Sequence, residues 1–279
     1  MRKLLDGMQS IVVGGVPIRS EPAAYQIKQL DTLEELVQSY RLRYQVYANL
    51  GYLRHANTSR LEIDEYDAWA IPFGAFDATS RTMVGTLRLV TKQPQSGFSR
   101  LVQEELALFA GDSLAMQARA PHPHILPSMV SDKIHQALAA FNTENFIVCE
   151  LSRCVVARNF RGSGVSRSLM ELGLAQASFG GTALLIGSYL PEHLPMYAKY
   201  GYLKLPQTDL EMFESVGQIA IAGICRTDRL PQPTRSHVDE LLRAMRANAA
   251  EHPTGTDVAG AFYGADKARR APSPAQQEW

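Results

Sequence analysis

Glu150-Leu151-Ser152-Arg153 lies inside an apolar run, and Arg161-Gly162-Ser163-Gly164 follows shortly after it. A carboxylate and a hydroxyl two residues apart share one face of a strand. That pair suits proton transfer beside a reacting carbonyl. Glu150 is a candidate base for an amine, acting directly or through water, because burial raises a carboxyl toward the useful range. The alternative is a structural carboxylate paired with arginine. Ser152 is a candidate for positioning water or a carbonyl. A serine nucleophile is disfavoured, since neither a GxSxG turn nor an evident histidine partner marks it.

The Arg-Gly-Ser-Gly turn opens an amphipathic segment. Glycines let backbone N–H groups approach phosphate oxygens, and a helix N-terminus adds favourable polarity. Arg158 or Arg161 adds a charge-assisted contact. A plain strand-to-helix turn is the competing reading. The segment matches neither GxxxxGK[ST] nor a full GxGxxG, which disfavours a nucleotide-hydrolysing loop.

Further candidates lie outside this stretch. Arg43 and Arg88 suit bidentate recognition of a carboxylate, or organise Asp64 and Asp67 as internal ion pairs. Asp64 and Asp67 alternatively hold an ammonium group; their spacing is not diagnostic of a metal or glycosidase site. Tyr197 is a candidate donor to a departing thiolate, with core packing as the alternative. His193 is either a proton relay or a surface residue. His122 and His124, two apart among prolines, make a poor metal site, and no CxxC or HExxH occurs. No metal is expected.

These residues need elements to place them. Tyr25 to Leu30 reads as a short strand. Asp31 or Thr32 caps a helix running to Leu50, with Glu34 and Glu35 in its first turn and Gly51 as its stop. Arg54 to Asp67 reads as a polar loop. Ala68 to Phe76 and Met83 to Val90 read as strands joined through residues 77–81. Gly74 and Gly85 mark bends or the close approach of a ligand. Phe98 to Ala110 holds a short helix, and Pro121, Pro123 and Pro127 break regular structure. Ser131 to Phe141 is helical by spacing. Phe146 to Ala157 is the central strand, Val165 to Ser178 its following helix, and Thr182 to Ser188 another strand. Pro191 to Tyr200 is a short helix, Ile219 to Cys225 a late strand and Ser236 to Ala249 a terminal helix. The pattern is mixed α/β with a strand-helix-strand unit. The expected division is an N-terminal extension over 1–24, a catalytic domain over 25–230, and a C-terminal helix with a weakly ordered tail over 231–279.

The 279 residues carry 28 basic and 28 acidic side chains, a formal net charge of +0. That balance gives no broad attraction to nucleic acid. Three cysteines, Cys149, Cys154 and Cys225, read as buried thiols and not as a disulfide scaffold. No apolar run is long enough to span a bilayer. A cytoplasmic enzyme is expected, with peripheral membrane association and a homodimer left open.

Asn159-Phe160-Arg161-Gly162-Ser163-Gly164 resembles the acyl-donor-binding motif of the GNAT superfamily of N-acyltransferases, with Asn159 where Arg or Gln is usual. A narrower resemblance rests on four ordered segments: Tyr40-Arg41-Leu42-Arg43-Tyr44-Gln45-Val46-Tyr47, Glu62-Ile63-Asp64-Glu65-Tyr66-Asp67, Gly85-Thr86-Leu87-Arg88-Leu89 and Glu150-Leu151-Ser152-Arg153. Their order is similar to that of acyl-homoserine-lactone synthases and long-chain N-acyl amino acid synthases, over roughly residues 25 to 205. Tyr197-Ala198-Lys199-Tyr200-Gly201-Tyr202 adds a late pattern of the superfamily. Tyr44 and Tyr47 depart from the lactone synthases and favour the amino acid synthases.

The resemblance implies a mixed, splayed central sheet flanked by helices. It implies transfer of a medium or long acyl group from an acyl carrier protein or acyl-CoA thioester to the amine of an amino acid. No permanently bound cofactor is implied. By residue, it carries over Glu150 among the catalytic candidates, beside Ser152 and Tyr197 from their own chemistry, while the donor candidates are Val155, Val156, Arg158, Arg161, Gly162, Ser163, Gly164 and Val165. It implies Arg43, Asp64, Asp67, Arg88 and Arg153 at the acceptor. An acidic carrier protein would meet an exposed patch containing Arg158 and Arg161. The competing functions are a homoserine-lactone synthase, a short-chain acetyltransferase and a non-catalytic binding module.

Overall fold

A computed structural model describes residues 9–13, 16–20, 25–53, 57–91, 126–130, 132–139, 141, 143, 146–206, 208–213 and 218–251. The expected helix at 98–110, His122, His124 and the C-terminal tail lie outside the described residues. Strand β1 (Gln9–Val13) and strand β2 (Val16–Ser20) form an antiparallel pair. Then come β3 (Tyr25–Gln29), helix α1 (Leu33–Leu50), β4 (Ala70–Asp77), β5 (Met83–Thr91), α2 (Asp132–Ala139), β6 (Ile147–Val156) and α3 (Val165–Ser178). The chain continues through β7 (Ala183–Tyr189), α4 (Leu194–Ala198), β8 (Leu203–Lys204), β9 (Glu211–Phe213), β10 (Gln218–Arg226) and α5 (Thr234–Glu251).

Helix boundaries follow local chemistry. Thr32 caps α1, its side chain accepting from the Glu35 N–H at 3.3 Å. Gly51 ends the helix in the left-handed region at φ 71°. Helix α3 begins and ends where its periodicity places it. The stretch from Pro191 is less regular than expected: a single 3-10 turn, Pro191–His193, precedes the five-residue α4. Pro195 lacks the N–H that a longer uninterrupted helix would use.

The ten strands among the described residues join one mixed sheet, in the order β2-β1-β3-β4-β5-β6-β7-β10-β8, with β9 paired to β10. Helices α1 and α2 cover one face, and α3 and α5 the other. Gly85 faces Val165 and Leu169; a Cβ there would stand 2.5 Å from Val165 Cγ1, so its bare backbone admits helix α3.

Two irregularities in β6 shape the centre of the sheet. The first is a parting of strands. Parallel pairing of β6 with β7 runs only from Ile147↔Ala183 to Glu150↔Ile186. Beyond that point β6 continues against β5 to Val156, while β7 continues against β10 to Tyr189. The sheet therefore splays immediately after Glu150.

The second irregularity is a bulge. Between the pairs Arg88↔Ser152 and Thr86↔Val155, residues Arg153 and Cys154 oppose Leu87 alone. Arg153 takes φ 56°, a left-handed conformation that a non-glycine side chain adopts at a cost. The extra residue puts Arg153 on the same face as Ser152, toward α1.

Candidate active site

The α1 face of the splay carries a compact group of six charges. Arg43 projects from α1, Arg88 from β5 and Arg153 from the β6 bulge. Glu62, Asp64 and Asp67 come from the segment between α1 and β4. That segment folds on its own carboxylates: Asp64 Oδ1 accepts from the Tyr66 N–H at 3.0 Å, and Asp67 Oδ2 from the Asp64 N–H at 2.9 Å.

The pairs are forked. Arg43 donates to both oxygens of Asp67 at 2.7 and 2.9 Å, and its Nε donates to Glu62. Arg88 donates to both oxygens of Asp64 at 2.5 and 2.8 Å, and its Nη1 lies 2.8 Å from Asp67 Oδ1. Arg153 bridges Glu62 Oε1 at 2.9 Å and Asp64 Oδ2 at 2.8 Å. Arg43 and Arg88 are each 2% exposed, so only such saturation makes their burial tolerable. Burial alone would raise the Asp64 carboxyl, but Arg88 and Arg153 outweigh it and hold it well below the usual range. The same contest, with Arg43 and Arg88, holds Asp67 low. Three cations face three anions, and the group is neutral as a whole.

Arg88 also reaches the central strand: its Nε donates to Ser152 Oγ at 3.0 Å. Glu150 stands apart from these pairs. It is 3% exposed, and its Oε2 accepts from the Ser128 backbone N–H at 2.8 Å. Ser188 Oγ donates to Ser128 Oγ at 2.9 Å, which ties that turn to β7. Burial pushes the Glu150 carboxyl up to about 7, against the opposing pull of the Ser128 N–H, Arg88 and Arg153. A carboxyl so placed exchanges its proton near neutrality.

Tyr197 stacks on Tyr189 at 4.2 Å between ring centroids, and Tyr202 meets both rings edge-on. Burial raises the Tyr197 phenol well above its ordinary range, with Cys154 and Tyr47 adding to the rise. This hydroxyl therefore keeps its proton. Cys149 and Cys225 are buried and Cys154 half-buried. Among the described residues no cluster of His, Cys, Asp or Glu is arranged to hold a metal ion.

The turn after β6 lies at the surface. Arg158, Arg161, Gly162 and Ser163 are exposed, while Val155 and Val165 are buried. Gly162 and Gly164 take φ 82° and 90°. A Cβ on Gly162 would meet nothing within 4 Å, so backbone conformation alone calls for glycine there. Gly164 is the N-cap of α3 and brings no side-chain cap. The amides of the first turn are thus left for another acceptor.

Glu62 and Ser128 carry weight that the sequence reading missed. Glu62 was visible as one more acid in the Glu-x-Asp-x-x-Asp run. Ser128, just beyond the prolines, gave no local sign that its backbone would meet Glu150.

Residues 42–171 match the family described as acetyltransferase (GNAT) domain. Among solved structures, FeeM, an N-acyl amino acid synthase from uncultured soil microbes, aligns with a TM-score of 0.52 at 18% identity, covering 76% of this chain and 94% of that one. The CoA-dependent acyl-homoserine lactone synthase BjaI aligns at 0.45 and 16% identity, over 81% of this chain and 90% of its own. TofI, solved in a ternary complex with an inhibitor and MTA, aligns at 0.46 and 18% identity, over 77% and 96%. No curated protein matches the sequence. Over residues 42–171 the chain is thus similar to the acetyltransferase (GNAT) domain, as its motifs suggested, and it has the mixed, splayed fold expected from them. Among the described residues, no helix is long and apolar enough to cross a membrane.

Proposed function

We propose that this protein transfers a medium or long acyl group from an acyl-CoA or acyl carrier protein thioester to the amine of an amino acid. The observation that carries the reading is Glu150: a buried carboxyl, drawn up to about 7, at the point where β6 and β7 part. Glu150 takes the proton of the attacking amine. Ser152, held by Arg88, orients the thioester carbonyl or a water. Among the described residues no strand pairs with the β7 side of β6 beyond Glu150, and an amide-bearing pantetheine arm can hydrogen-bond there as an added strand does. Backbone N–H groups along that edge are suitable donors to the tetrahedral oxyanion. Collapse expels the thiolate, and Tyr197 donates a hydrogen bond to it.

At the donor end, the amides of Gly162 and Gly164 and the guanidinium groups of Arg158 and Arg161 receive phosphate, while Ser163 holds the turn by donating its N–H and hydroxyl to Phe160 O. Val155, Val156 and Val165 frame the approach. The same two arginines suit an acidic carrier protein. At the acceptor end, Arg43, Arg88 and Arg153 set the geometry of Asp64 and Asp67; Asp67 anchors the Asp64 N–H, and Asp64, the more exposed of the two, meets the acceptor ammonium. No permanently bound cofactor is needed.

Mass spectrometry of lipids from a plain bacterial host expressing the chain tests the proposal. An N-acylated amino acid is expected, and its loss with Glu150→Gln. A lipid extract unchanged from the empty host, with acyl thioester and amino acids supplied, would overturn it.

A further inference from the structure

We infer that the Tyr25 hydroxyl is a positioning group for the donor turn, locking the first turn of α3 in the form that receives a phosphorylated donor. The inference rests on the donor site proposed above and adds a residue from a distant strand. Tyr25 opens β3 and is 4% exposed. Its Oη lies 3.2 Å from Ser168 Oγ, a contact between residues 143 apart in sequence. A Cβ on Gly164 would stand 3.1 Å from the same oxygen. Ser168 N–H in turn donates to Gly164 O at 3.0 Å, the first bond of the helix. One hydroxyl therefore bonds the end of the first turn at Ser168 and stands where a side chain at its start, on Gly164, would reach.

The turn needs such a brace. Gly164 has a wide conformational choice and no side-chain cap to restrict it. Opposite the solvent-facing loop, Val165 is seated against Gly85, and Tyr25 supplies the polar hold beside it. A turn held in its binding form loses less freedom when a charged ligand settles on it. The ring of Tyr25 belongs to the core and phenylalanine fills the same space, so the hydroxyl can be removed without opening a cavity.

Calorimetric binding of CoA and of phosphate-free pantetheine to the full chain tests the role. Wild type is expected to bind CoA more tightly than pantetheine. Tyr25→Phe should weaken CoA binding about three- to tenfold, the worth of one hydrogen bond, and leave pantetheine unchanged. Ser168→Ala should do the same, and the double variant should lose no more than either single one. Equal weakening of both ligands, or no weakening of CoA in either variant, would overturn the inference. Equal affinity of wild type for CoA and pantetheine would instead remove the donor site on which it rests.

Discussion

Arg88 Nε donates to Ser152 Oγ at 3.0 Å while its other nitrogens clasp Asp64. One buried side chain thus links the acidic segment after α1 to the strand proposed to do the chemistry. Replacing Arg88 by Met strands Asp64 and Asp67 with one cation fewer. Breaking a buried pair on one side costs about 3–5 kcal/mol, to be read from the urea midpoint. Arg88→Lys keeps the charge but loses the fork. It should retain more stability than Arg88→Met while still disturbing Ser152, seen as a fall in kcat. A lysine variant with wild-type kcat would separate Ser152 from the reaction.

Glu150 sets the pH dependence. If its ionised form takes the amine proton, kcat/KM rises with pH to a plateau with a midpoint near 7, and Glu150→Gln abolishes that inflection along with most of the rate. Retention of the inflection in the glutamine variant would assign it to another group.

The same carboxyl makes an opposite prediction for stability. Its folded value is raised from 4.5 to about 7, so folding favours the protonated form. The cost is absent below the lower value, grows between the two and is complete above the higher, where it reaches on the order of 3 kcal/mol. Glu150→Gln should therefore match wild type in Tm at acid pH and exceed it at pH 8. A wild-type Tm unaffected by pH relative to the variant would show that Glu150 is not buried as charge.

Gly162 isolates backbone conformation from packing. Alanine there meets no neighbour but must adopt φ 82°, at a cost of about 1–2 kcal/mol. Asparagine tolerates that region better and should recover part of the loss. Chemical denaturation of both variants decides; equal losses would point to something other than the turn.

Tyr197→Phe keeps the stack on Tyr189 and removes the donor. With thiolate departure assisted by that hydrogen bond, kcat should fall about three- to tenfold with donor affinity unchanged. A fall in affinity alone would make Tyr197 a wall of the site.

Much of this was legible in the chain. Helix α3, from Val165 to Ser178, follows from an apolar stripe, a preceding glycine turn and a closing glycine pair. The central strand followed from its apolar run, and Glu150 stood out as a charge placed within it. The arginines and aspartates could be seen as complementary sets. Which guanidinium would fork onto which carboxylate depends on how α1, β5 and the acidic segment meet in space, and no local pattern encodes that. Strands β8 and β9 are too short to show a period, and β1 and β2 had appeared only as an extension. The departure at Arg153 was hidden for a different reason: strict alternation sends it away from Ser152, and only the bulge brings it back.

That bulge shifts the parity of β6. Before it, even-numbered residues Glu150 and Ser152 look toward α1; after it, odd-numbered Arg153 and Val155 do. The strand is written in two phases joined at one residue. Its chemical half and its packing half can therefore share a face while neither half is free to slip, and removing a single residue at the junction would turn one of them to the wrong side of the sheet.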